Sequence, residues 1–234
     1  MNLKEIHRRY TFPDPSREGC GDLLAVGGDL RPERLLAAYS RGIFPWFDEN
    51  SPILWWSPDP RLILKPAEFH VSSRLKRQLR QKPFVLTVNT DFSQVIRSCA
   101  GVERKGSSGT WIVPEMIEAY TKLHTLGYAH SVEAWQGRKL VGGMYGVALG
   151  RVFFGESMFY RASNASKAAL AGLMHLLDKK GFLLLDCQQT TAHMLRFGSK
   201  EIPRRQFLRL VQKGVGSFQD IPASQGWEAG ILKY

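Results

Sequence analysis

Between Val141 and Gln188 the chain reads VGGMYGVALGRVFFGESMFYRASNASKAALAGLMHLLDKKGFLLLDCQ, and this run limits the fold more than any other. The Val and Phe of Val152 to Phe159 predict a strand. Alternation places Val152, Phe154, Glu156 and Met158 on one face and Phe153, Gly155, Ser157 and Phe159 on the other. From Asn164 to Lys179 apolar residues return at helical spacing, with Ser163 or Asn164 as cap and Gly181 as stop. Phe182 to Gln188 predicts a short strand with Asp186 and Gln188 on one face and Cys187 opposite. A strand, a crossover helix and a strand make parallel neighbours. Ligands in open sheets bind at the carboxyl ends of such strands, where Glu156, Asp186 and Gln188 lie. Pattern alone leaves two readings: a reactive group, or ordinary strand-end acids.

Composition narrows the class. The 234 residues are 44% hydrophobic and 23% charged, as in a globular protein. No apolar run approaches the ~18 residues of a membrane span. The opening MNLKEIHRRY lacks the apolar core of a secretory signal. Cys20, Cys99 and Cys187 are scattered, which predicts reduced thiols in a cytoplasmic protein. The histidines are scattered too, and neither a metal nor a cofactor is expected. A net charge of +11 points to a polyanion, nucleic acid before membrane.

Clustering supports nucleic acid. His70 to Lys82, HVSSRLKRQLRQK, predicts a helix capped by Ser72 or Ser73. It carries Arg74, Lys76, Arg77, Arg80 and Lys82 without an acid, as a phosphate-contacting helix would. Arg204, Arg205, Arg209 and Lys213 mark a second basic helix. Ahead of both, Pro32 opens a helix that Gly42 ends, and Ile43 to Trp56 packs aromatic residues among prolines. Trp55 and Trp56 are expected in a core, and Trp46 as a wall on which a base stacks. SPDP, Ser57 to Pro60, marks a boundary between a small aromatic-rich domain, residues 1–60, and a larger one, residues 61–234. Pro114 opens a further helix, Glu103 to Thr110 is a Gly/Ser/charge loop, and the last twenty residues predict an irregular tail.

The pieces LLAVGGDL, AYSRGIFPWF, ILWWSPDPR, GTWI, LVGGMYGV, FGESMF, NASK, LDCQ and EIPRR stand in order along nearly the whole chain. Together they resemble the bacterial leucyl/phenylalanyl-tRNA–protein transferases. The resemblance implies an α+β fold: a GNAT-like mixed sheet with flanking helices behind a small N-terminal domain. It implies transfer of Leu, Phe or sometimes Met from aminoacyl-tRNA to the N-terminal Arg or Lys of a protein, creating a degradation signal, with no metal or coenzyme A. It implies that Trp46 stacks on the terminal adenosine, and that Trp111 and Tyr120 also contact substrate. Met144, Phe153, Met158, Leu173 and Leu177 would form the apolar slot. Leu173 and Leu177 stand where a family member carries Phe, which leaves the Leu-versus-Phe preference open. Glu156, Asp186 and Gln188 would surround the ester.

Carboxamides are barely basic, so Asp186 is expected to accept or relay the amine proton, Gln188 to orient the amine, and Glu156 to read the acceptor's cationic side chain. A coenzyme A-dependent acyltransferase would need glycines to hold pyrophosphate where this chain has RASNASK. A non-catalytic RNA-binding protein would leave the Glu156, Asp186 and Gln188 grouping unexplained. With no obvious exposed apolar stripe, a monomer is expected.

Overall fold

The computed structural model describes residues 3–81, 83–102, 111–216 and 226–232, without the side chains of Leu3, Lys4 and His7. Lys82 and the loop 103–110 lie outside the described residues.

The chain begins with α1 (Leu3–Arg9), β1 (Leu23–Val26), α2 (Pro32–Tyr39), β2 (Phe44–Pro45) and β3 (Leu54–Trp56). The three strands form a small antiparallel sheet in the order β1-β3-β2. There follow β4 (Arg61–Leu64), α3 (Ser73–Arg80), β5 (Val85–Val88), α4 (Phe92–Ala100), α5 (Pro114–Thr125), β6 (Ala129–Gln136), β7 (Lys139–Leu149), β8 (Val152–Tyr160), α6 (Ala165–Lys179), β9 (Leu184–Gln188), α7 (Ala192–Leu195), β10 (Lys200–Ile202), α8 (Arg204–Val215) and β11 (Gly230–Ile231). Eight of these strands form one mixed sheet, ordered β10-β4-β9-β8-β7-β6-β5-β11. The expected class forms: a mixed sheet with flanking helices, preceded by a small N-terminal sheet. β8 and β9 pair parallel across α6, as the crossover pattern predicts.

Two apolar clusters cover the sheet. One joins α2, α4, α5 and α8 to Val152, Phe154 and Phe159. The other joins α3 and α6 to Met144, Phe153 and Leu185. The first runs without a break from Leu35, Tyr39 and Trp55 into Phe154 and Phe207, across the boundary expected at residue 60. Amphipathic spacing explains α3. Leu75 and Leu79 are buried four residues apart, so Arg74, Lys76, Arg77 and Arg80 all face solvent. The Ser72 hydroxyl caps this helix by accepting from the Leu75 N–H at 3.3 Å.

Strict alternation fails in β8. Tyr145 pairs with Ser157 and Gly146 with Gly155, so Glu156 is an extra residue, a β-bulge. Phe154 and Phe159 therefore share one cluster, whereas Phe153 packs in the other with Met158 against it. The expected rows 152-154-156-158 and 153-155-157-159 do not form. A second bulge falls in β9. Leu62 pairs with Gln188 and Ile63 with Asp186, which makes Cys187 the extra residue, so the expected face shared by Asp186 and Gln188 with Cys187 opposite does not form by alternation.

Three other expectations are corrected. Trp56 is only half-buried, because its indole N–H bonds to the Trp46 carbonyl at the rim of a cavity. Arg204 is buried, since its guanidinium donates to the carbonyls of Cys20, Gly21 and Ser57 and is therefore not a surface cation. The tail is not wholly irregular. Trp227 stacks on His130 at 4.3 Å and on Phe153 at 5.5 Å, and β11 pairs with β5.

Close approach fixes Gly142. A Cβ there would lie 2.5 Å from the Ala165 Cβ and 2.8 Å from its carbonyl carbon, at the start of α6. Gly142→Ala is expected to cost about 1–3 kcal/mol of stability by overpacking. Gly101→Ala, with nothing nearer than 3.7 Å, is the control. Urea unfolding of both checks this.

Candidate active site

One cavity of about 980 Å³ opens between the small sheet and the carboxyl ends of β8 and β9. The small sheet and the loop between β2 and β3 contribute Phe44, Trp46, Asp48, Glu49 and Trp56 to its wall. The main sheet contributes Met144, Glu156, Met158, Asp186, Cys187 and Gln188, and Trp111 joins them. Trp46 is 39% exposed and sits edge-on to Trp56 at 5.9 Å. Its backbone is held at the base of a hairpin by the bond from its main-chain N–H to the Leu54 carbonyl. A free aromatic face on a fixed backbone can stack on a planar base.

The bulge aims Glu156 into a cluster of polar groups. Its Oε1 accepts from the Tyr39 hydroxyl at 2.8 Å and from the Gln188 side-chain amide at 2.9 Å. Its Oε2 accepts from the Tyr120 hydroxyl at 3.2 Å. Tyr39 and Tyr120 also bond to each other. The three contacts among these three groups need three protons, and the two hydroxyls supply two. The ring is complete only when Glu156 carries a proton of its own. Burial, helped by the nearby charge of Asp186, pushes its carboxyl up to about 7 despite the hydrogen bonds from Tyr39, Tyr120 and Gln188. A carboxyl poised near neutrality can exchange a proton at physiological pH.

Asp186 is differently placed. It is fully buried and accepts from Arg61 Nε at 2.8 Å and Nη2 at 2.6 Å, a bidentate pair. Its Oδ1 also accepts the backbone N–H of Gln188 at 2.9 Å. That bond holds Gln188 at a left-handed φ of 62° and turns its side chain toward Glu156. Cys187 lies beside them, half-buried, and desolvation raises its thiol well above the ordinary value, which disfavours the thiolate.

The cavity thus brings together Trp46, Trp111, Met144, Glu156, Met158, Asp186 and Gln188. Tyr120 stands behind Glu156, bonded to it and fully buried. Phe153, Leu173 and Leu177 do not reach the cavity wall. They are buried in the same cluster as Met144. Arg74, Lys76, Arg77 and Arg80 lie on α3, away from the wall, and α3 touches the start of α6 through a bond from Asn164 to Gln78. Sequence reasoning missed Tyr39, which reads only as part of the apolar side of α2. It also missed Asp48 and Glu49, the acids of the aromatic segment, which are exposed at the cavity rim. Among the described residues no group of His, Cys, Asp or Glu is placed to hold a metal, and no helix is long and apolar enough to cross a membrane.

Residues 63–212 match the family model for leucyl/phenylalanyl-tRNA protein transferase, and residues 28–59 match the model of that family's N-terminal domain. The chain belongs to this family. It is an aminoacyltransferase. A leucyl/phenylalanyl-tRNA–protein transferase of Syntrophobacter fumaroxidans is 56% identical over 97% of this chain and 96% of the relative. One from Solidesulfovibrio magneticus is 59% identical over 86% and 81%, and one from Anaeromyxobacter sp. (strain K) 51% identical over 98% and 97%.

The raised carboxyl of this transferase has a thermodynamic signature. The folded-state value of Glu156, about 7, lies above the ordinary 4.5, so the folded state holds that proton more tightly. Its contribution to stability is full below pH 4.5 and is lost as pH rises through 7, on the order of 3 kcal/mol in all. Glu133, also raised, acts in the same direction, and His130, lowered to about 3, acts in the opposite one. Glu156→Gln is therefore compared with wild type, not read alone. Urea unfolding at pH 5 and pH 8 is expected to show a smaller loss of stability in the variant. Equal losses would place the carboxyl's titration elsewhere.

Proposed function

We propose that this transferase moves Leu or Phe, and also Met, from aminoacyl-tRNA to the N-terminal Arg or Lys of acceptor proteins in the cytoplasm. The product carries a new apolar N-terminus that serves as a degradation signal. One observation supports this reading above the others. A single cavity holds a base-stacking indole, an apolar wall of Met144 and Met158, a near-neutral carboxyl and acids at its rim.

Each part of the substrate finds matching chemistry. The terminal adenosine stacks on Trp46, with Trp111 in the wall of the same cavity. The aminoacyl side chain enters beside Met144 and Met158, while Phe153, Leu173 and Leu177 set the depth of packing behind them. A wall of flexible Met gives selection by fit, worth ~1–3 kcal/mol per methylene, so Leu, Phe and Met are separated only weakly. The exposed basic face of α3 takes phosphates of the tRNA body. Asp48 and Glu49, both exposed, suit the cationic side chain of the acceptor better than Glu156 does, because Glu156 already accepts from three donors.

The ester is already activated. The attacking α-amine has a reference pKa near 7.7–8.0, so roughly a tenth is neutral at pH 7. What remains is to align two reactants and remove one proton. The Gln188 carbonyl oxygen accepts an amine N–H and aims the lone pair at the ester carbon. The nitrogen attacks, the bond to the ribose oxygen breaks, and the amine proton passes to Glu156. The ribose oxygen leaves as a hydroxyl after taking that proton. Asp186 holds Gln188 rather than taking the proton, since its charge is already paired with the Arg61 guanidinium, whereas the groups that bond Glu156 are neutral.

Incubation with labelled leucyl-tRNA, acetyl-coenzyme A and a peptide with N-terminal Arg tests the reading. Leucine is expected on the peptide, and acetylation in its place would reject it. Asp48→Asn with Glu49→Gln is expected to raise KM for the Arg peptide several-fold, roughly 1 kcal/mol of lost pairing, with little change for leucyl-tRNA. For tRNA binding, Arg77→Ala with Arg80→Ala is expected to weaken affinity for all isoacceptors and to reduce the slope of log K against log salt by about 1 per lost phosphate contact. An unchanged slope would turn this helix away from the tRNA.

A further inference from the structure

Arg61 lies outside the cavity wall, yet the whole reactive group is built on it. We infer that Arg61 is a positioning residue of the transfer reaction: it fixes Asp186 in place and balances its charge, and through Asp186 it sets Gln188 and Glu156. The inference rests on the functional reading above.

Four observations carry it. Arg61 is fully buried, and both ends of its fork meet Asp186, at 2.8 and 2.6 Å. The guanidinium lies between the rings of Phe44, at 4.8 Å, and Phe207, at 4.4 Å, which fixes its plane. Its third nitrogen, Nη1, is buried with no hydrogen-bond partner among the described residues, where the bonds of the fork all go to Asp186. Asp186 in turn bonds the Gln188 N–H, and Gln188 bonds Glu156. A chain of named bonds thus leads from Arg61 to the proton acceptor. A lysine could supply the charge but not the planar fork.

The charges facing this group come from each element packed against it. Tyr39 on α2 and Tyr120 on α5 donate to Glu156, and Asp186, Cys187 and Gln188 line β9 beside it. Asp186 supplies the negative charge that raises the Glu156 carboxyl, and Arg61 on β4 is the cation paired with Asp186. Removing either member of the pair leaves the other's charge buried beside Glu156. The two removals therefore push the Glu156 titration in opposite directions, which a merely structural role would not do.

The test follows the Glu156 carboxyl by carbon-13 NMR on the full chain, with its signal assigned by its loss in Glu156→Gln. Arg61→Met is expected to move the midpoint up and Asp186→Asn to move it down. The double variant Arg61→Met with Asp186→Asn removes both charges and keeps an oxygen for the Gln188 N–H. It is expected to return the midpoint toward wild type and to recover part of the transfer rate lost in Arg61→Met. Arg61→Lys is expected to keep the midpoint while kcat falls by on the order of 10²-fold, the cost of a misplacement near 1 Å, with KM for leucyl-tRNA unchanged. If a single variant does not fold, the double variant and Arg61→Lys decide. Midpoints that coincide in all folded variants, or an Arg61→Lys enzyme with wild-type kcat, would overturn the assignment. A wild-type protein that fails to transfer leucine would instead reject the functional reading, and the midpoints would still judge Arg61.

Discussion

The dry ion pair between Arg61 and Asp186 is the joint on which the molecule turns. Arg61 is the first residue of β4, and Asp186 is in β9, the parallel neighbour of β8. The pair therefore ties the start of the main sheet to the strand that carries the amide. Phe44 of the small sheet and Phe207 of α8 close over the guanidinium from two sides. Losing one member of such a buried pair costs about 3–5 kcal/mol, because the other charge is left without water or partner. Asp186 of this pair also adds, beside the larger effect of burial, to the rise of the Glu156 carboxyl.

Glu156 shows the opposite economy. Its burial works against the folded state at neutral pH, since a charged carboxyl loses its hydration. The two tyrosine hydroxyls offset part of that penalty but leave the ring one proton short. A fold selected for stability alone would place an apolar residue or an amide there. Retaining an acid under such conditions is the usual cost of reactivity. In the reaction proposed above, whose electrophile arrives activated, one well-placed proton acceptor and a fixed amide suffice.

Much of this was legible in the sequence, and the remainder was hidden for definable reasons. The parallel β8–α6–β9 unit followed from period and length. The basic helix α3 followed from Arg74, Lys76, Arg77 and Arg80 standing together without an acid. The phase of β8 did not, because a bulge leaves no mark on composition and shifts every later residue to the other face. Tyr39 looked like core because its ring is core, while its hydroxyl meets Glu156 across 117 positions of chain. Trp227 looked like tail because nothing near it in sequence reveals the stack with His130 and Phe153. Asp186 and Gln188 were expected on one face with Cys187 opposite, but the bulge at Cys187 sets them against the adjacent residues Ile63 and Leu62, and Arg61 could not be seen as the partner of Asp186, 125 positions away.

The extra residue in β8 has a consequence for how this strand can change over time. Glu156 lies outside the alternation that sorts its neighbours, because Gly155 keeps Gly146 as partner and Ser157 keeps Tyr145, with Met158 in one layer and Phe159 in the other. Excising it would restore unbroken pairing and leave both residues where they are, removing the carboxyl alone. The acid is thus an insertion into a strand that is complete without it, so packing and chemistry can be altered separately at this position.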